Sequence, residues 1–142
     1  MIDAPDKALH RSIRVKADTA RLAEVRRFVE EVARELALDA ERLFDVKVAV
    51  SEACANAVEH AGCEEAPLEV CAQTNAQRLI FTVTDTGIFH APASADAGFT
   101  YRGLGLPLMV ALMDEVSFTR TPGGGTTVSL SVLLESRGAA SQ

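Results

Sequence analysis

Residues 9–15, LHRSIRV, place Leu9, Ile13 and Val15 on one side of an extended chain, which predicts a strand. Arg11 falls on that same side, the mark of a sheet edge. Asp18 or Thr19 then caps a helix. In that helix Leu22, Val25, Val29, Val32 and Leu36 recur at 3-4-3-4 spacing, one apolar stripe with Arg26, Arg27 and Arg34 away from it. Asp39 opens a second helix, whose stretch from Phe44 to Gly62 reads FDVKVAVSEACANAVEHAG. Glu52, Asn56 and His60 follow at i, i+4 and i+8, a polar line on an otherwise apolar cylinder.

The period then changes from helical to two. Leu68, Val70 and Ala72 alternate with polar neighbours, and Asn75-Ala76-Gln77 turns the chain into a second strand with Leu79, Phe81 and Val83 on one face. Asp85 continues that face, so the alternation points a carboxylate inward. Residues 88–102 hold no period and are rich in Ala, Ser, Pro and Gly, and a loop of that length in a compact domain is either a functional lid or disordered. Pro107 belongs in a first helical turn, which starts a third helix at about Leu106. Val116 and Phe118 lie on a further strand, and Pro122-Gly-Gly-Gly turns into the last one. There Thr126, Val128, Leu130 and Val132 share a face, so Thr126 also points inward. Residues 136–142 form a polar tail.

The order β-α-α-β-β-loop-α-β-β predicts an α+β fold, a two-layer sandwich with three helices on one face of a mixed, mostly antiparallel sheet. Its length of 142 residues suits a single domain, 1–142, with a core over about 9–134. No run of eighteen apolar residues offers a membrane span, and the first residues lack the apolar segment of an export signal. Three cysteines without CxxC spacing suit free thiols in a reducing cytoplasm. Cys54, in mid-helix, reads as a small core residue.

A net charge of −6 argues against direct nucleic-acid binding. Residues 1–48 carry ten basic and ten acidic side chains, and residues 49–142 carry four and ten. Between Leu79 and Thr119 the one formal cation is Arg102. An anionic ligand in this half therefore needs a metal ion, backbone amides or that arginine.

Each candidate group has two readings. Glu52 and Asn56 form either a solvated helix face or a pair in which Asn56 offers its amide oxygen to Mg²⁺. In the second case Glu52 is a base for a hydroxyl attacking a γ-phosphoryl group. Asp85 either caps a turn or accepts an exocyclic amino group such as adenine N6, with Gly87 allowing a flat base close to the backbone and Thr126 reaching the same pocket. Arg102-Gly103-Leu104-Gly105 either loosens the start of a helix or presents free N–H groups and a cation to phosphate. Walker, GxSxG, HExxH and protein-kinase HRD/DFG patterns are absent. His60 reads as structural.

In this order ExxxN, DTG, GLG and GGGT resemble the N, G1, G2 and last boxes of the GHKL ATPase superfamily. SEACANAVEHA, VTDTGIF, RGLGLPLMVALMDEV and GGGTTVSL are similar to the anti-sigma factor serine kinases, the group of RsbW and SpoIIAB, over about Ile13 to Leu134. The resemblance implies a Bergerat-type ATP site and a protein-serine kinase using ATP and Mg²⁺. Such kinases sequester a sigma factor, phosphorylate a STAS-domain antagonist and commonly form homodimers. By motif, Glu52 is the catalytic base, Asn56 the magnesium ligand, and Asp85, Gly87 and Thr126 line the adenine pocket. Gly103, Leu104 and Gly105 bind phosphate, with Arg102 on the γ-phosphate. In some relatives the lid arginine stands two residues before GxG, a position held here by Tyr101. The alternatives are a non-catalytic, nucleotide-gated binding module for a regulator and an ATPase without a protein acceptor.

Overall fold

The structure, a computed structural model, describes residues 8–61, 66–85, 105–120 and 125–134, excepting the side chains of residues 60, 61, 105 and 106. Its elements are β1 (His10–Lys16), α1 (Leu22–Glu35), α2 (Ala40–Ala61), β2 (Pro67–Asn75), β3 (Arg78–Asp85), α3 (Gly105–Leu112), β4 (Glu115–Arg120) and β5 (Thr126–Leu133). The five strands form one sheet in the order β1-β2-β3-β5-β4. All four pairings are antiparallel, where the pattern predicted a mixed, mostly antiparallel sheet. The last strand inserts between β3 and β4, so these two strands, which run the same way, never touch.

Local chemistry sets the helix ends. Asp18 accepts a hydrogen bond from the Ala20 N–H at 3.0 Å, capping a 3-10 turn that runs into α1. Asp39 accepts from the Arg42 N–H at 2.8 Å at the start of α2. Helix α1 ends in a Schellman motif: Leu38 N–H donates to Ala33 O and Ala37 N–H to Arg34 O, with Ala37 at φ 57°. The β2–β3 hairpin turns through Ala76 and Gln77, Ala76 having φ 63°.

The core lies between the helices and one face of the sheet. Helix α1 buries Val25, Val29 and Val32, the predicted stripe. The small side chains Val46, Ala49, Val50, Ala53, Cys54 and Ala57 bring α2 close to the sheet, where Leu68, Val70, Leu79, Phe81, Val83 and Leu130 are buried. Phe28 of α1 meets Phe81 edge to face, ring centroids 6.4 Å apart. Burial pushes the Cys54 thiol up to about 12, so it is an inert core group. Arg11, inward on edge strand β1, finds Glu35 at 2.6 Å.

The other face is polar. Thr84 and Thr127 share a hydroxyl–hydroxyl bond of 3.1 Å, and Arg78 donates to Ser131 at 2.9 Å and Glu115 at 3.2 Å. Among the described residues no helix is long and apolar enough to cross a membrane.

Candidate functional site

Strand register brings the inward polar residues together. Asp85 stands opposite Leu68 on one side and Thr126 on the other, and Thr126 stands opposite Arg120. One row at one end of the sheet thus reads Leu68, Asp85, Thr126, Arg120. Asp85 is 7% exposed and Thr126 half-buried. Burial pushes the Asp85 carboxyl up from 3.8 to about 6.

Chain connectivity carries α2 to the same end. From Ala61, five residues lead to Pro67, which precedes Leu68 of that row. They span at most about 20 Å, against about 33 Å for the length of α2. The C-terminal turns of α2, with Asn56, therefore belong to the Asp85 end. Its N-terminus belongs to the far end, where Arg42 Nη1 lies 3.7 Å from Asp114 Oδ2. Asp114 is fastened there by its N–H to Ser131 O, 2.9 Å, and by its carboxylate accepting from the Leu133 N–H, 2.7 Å.

Helix α3 packs against α2 and runs antiparallel to it, since its C-terminal end meets Asp114. Nine residues back from Asp114, about 13 Å, Gly105 opens α3. The same rise along α2 from Arg42 reaches the turn of Glu52. The first N–H groups of α3 thus lie level with Glu52, one helical turn before Asn56.

Asn56 is 8% exposed, and its Nδ2 has no hydrogen-bond partner among the described residues. A buried amide left unsatisfied costs about 1–3 kcal/mol, which a folded core tolerates where a ligand completes it. Glu52 is half-buried and takes part in no ion pair among the described residues. A half-buried carboxylate beside an orphaned amide and a helix start is suited to handling an anion and a proton.

Of the sequence-predicted residues, Asp85 and Thr126 are cross-strand neighbours at this end, Asn56 lies on the turns of α2 that belong to it, and Glu52 and Gly105 stand level with each other one helical turn nearer the middle of α2. Gly87, Arg102, Gly103 and Leu104 lie outside the described residues, as do Tyr101 and the side chain of His60. Arg120 lies one residue beyond the cation-poor stretch from Leu79 to Thr119 and belongs to none of the motifs. The period of β4 would have found it, since Val116, Phe118 and Arg120 share the face that packs on the helices.

The sequence pattern of the histidine kinase-like ATPase domain matches residues 15–132. An anti-sigma F factor of Pasteuria penetrans is 36% identical over 101 residues, 63% of this chain and 67% of that one. Serine-protein kinase RsbW of Bacillus velezensis is 31% identical over 136 residues, covering 86% of this chain and 84% of that protein. A crystal structure of the RsbU and RsbW domains of a Mycobacterium tuberculosis protein superposes with a TM-score of 0.68 at 27% identity. That match covers 92% of this chain, which spans a third of the solved chain's length.

Proposed function

The chain belongs to the histidine kinase-like ATPase family, in the branch of the anti-sigma factor kinases, and from that premise we propose that it is an ATP-dependent protein-serine kinase. Its acceptor is a serine on a STAS-domain antagonist, and its unphosphorylated antagonist competes with a sigma factor for the same switch protein. The relatives named serine-protein kinase and anti-sigma factor support this reading. The observation that carries it is the orphaned, buried Asn56 amide at the end of the sheet that also holds buried Asp85.

Asp85 accepts the adenine amino group, and Thr126, opposite it in register, completes that pocket. Burial alone raises its carboxyl pKa, which fits a group set in a largely apolar slot. The unsatisfied Nδ2 of Asn56 is a donor suited to a phosphate oxygen, whereas its amide oxygen is the atom that would ligate Mg²⁺, a hard cation that takes oxygen ligands. No cluster of three or more His, Cys, Asp or Glu side chains able to hold a metal occurs among the described residues, so the nucleotide itself would supply part of the shell. When bound, Mg²⁺ neutralises charge on the phosphates. Glu52 takes the proton of the acceptor serine as its oxygen bonds to the γ-phosphorus, and the bond to the β–γ bridging oxygen breaks to release ADP. The free N–H groups at the start of α3 stabilise the phosphate oxygens.

Incubation with Mg-ATP and a STAS-domain protein should give a phosphoserine detectable by mass spectrometry. Binding of ATP without any phosphoserine would leave the nucleotide-gated binding module. Steady phosphate release without an acceptor would favour a plain ATPase.

A further inference from the structure

Arg120 has no task in the reading above, yet the fold brings it to the same corner as α3. Val116 packs against the core, so the period of β4 puts Phe118 and Arg120 on the helix-facing side. Register places Arg120 opposite Thr126, one strand beyond Asp85 and Thr126. Arg120 is exposed and holds no ion pair among the described residues, whereas Arg11, Arg21, Arg42 and Arg78 each face a carboxylate.

Helix α3 and β4 pack on each other and are joined by Met113 and Asp114 alone. Both therefore start from one point at the far end of the sheet. From Leu112 back to Gly105 the helix covers about 10 Å. From Glu115 to Arg120 the strand covers about 17 Å. Arg120 thus stands beyond the first turn of α3, on the side where an anion held by its free N–H groups would sit. A second sign of a ligand at this end is Asn56, more than nine-tenths buried with its Nδ2, a donor, unsatisfied among the described residues.

We infer that Arg120 is a phosphate-binding residue of the nucleotide site, a cation supplied by the edge strand of the sheet. The inference rests on the nucleotide reading and adds to it a residue that the sequence motifs do not contain. Arginine suits the task because its planar fork can bind two phosphate oxygens at once. It also supplies positive charge from the sheet, in a half of the chain that is strongly acidic.

Calorimetric titration of the wild type, Arg120→Ala and Arg120→Lys with Mg-ATP and, separately, with adenosine tests this. Arg120→Ala should weaken Mg-ATP binding by about 10- to 100-fold, the range of a charge-assisted hydrogen bond, and leave adenosine affinity unchanged. Arg120→Lys should fall between. Thermal unfolding of the apo variants should match the wild type, since the side chain is exposed and has no ion pair among the described residues. Equal Mg-ATP affinity in Arg120→Ala, or an equal loss for adenosine, would overturn the assignment. Wild-type protein that binds neither ligand overturns the nucleotide reading, and this inference with it.

Discussion

Asp85 and Thr126 face each other across β3 and β5, the last inward-facing pair of their ladder. The three pairs before them along the same face, Val83 with Val128, Phe81 with Leu130 and Leu79 with Val132, are apolar and buried. One step further, the pattern that builds the core delivers a buried carboxylate and a half-buried hydroxyl onto the same face.

Replacing Asp85 separates its use from its cost. Its pKa is raised from 3.8 unfolded to about 6 folded, so the apo protein is favoured below pH 4 and loses that contribution as pH rises through about 6. Asp85→Asn should therefore stabilise the apo protein above pH 6 by about 1–3 kcal/mol, with the gain vanishing below pH 4. The same change should weaken both ATP and adenosine, because an amide can present a donor to the adenine amino group. Urea unfolding across pH and calorimetry check the two halves; undiminished adenosine affinity would remove Asp85 from the adenine pocket.

Asn56 is buried with its Nδ2 unsatisfied among the described residues. Asn56→Leu, similar in volume and free of polar atoms, should raise apo stability by about 1 kcal/mol and abolish the Mg²⁺ dependence of ATP binding. Titrations with and without the metal would show it. A stability loss instead would mean that the amide is satisfied in the folded protein.

Glu52 is assigned to proton transfer alone. Glu52→Ala should keep Mg-ATP affinity within a few-fold, and lower phosphoserine formation by about 10²- to 10⁴-fold, the usual worth of a general base. Single-turnover phosphorylation of a STAS partner is the measurement. Transfer at the wild-type rate would exclude Glu52 as the base.

Two alanines hold positive φ, Ala37 at the end of α1 and Ala76 in the β2–β3 turn. For a residue with a Cβ the left-handed region costs about 1–2 kcal/mol, part of which glycine returns as unfolded-state entropy. Ala37→Gly and Ala76→Gly should each stabilise by roughly 0.5–1 kcal/mol without altering nucleotide affinity. Chemical denaturation of the single and double variants checks magnitude and additivity.

Periodicity alone placed the elements, because burial on one face imposes period 3.6 on a helix and period two on a strand. It gave the stripe Val25, Val29, Val32 of α1 and the inward carboxylate of Asp85. It identified β1 as an edge from an inward Arg11, and Pro107 located the start of α3 within a residue. What periodicity could not give was which strands are neighbours. Strand β5 lies beside β3 and not at an edge, and that choice makes Asp85 and Thr126 partners and the sheet wholly antiparallel. Nor could it show that Arg42 meets Asp114, the contact at which α3 turns back along α2 and sets Gly105 level with Glu52. Arg120 became a candidate only through register. Spacing along a chain is a local property, read from one element at a time. Adjacency across elements depends on which hydrophobic faces cover each other, and only the folded molecule decides that.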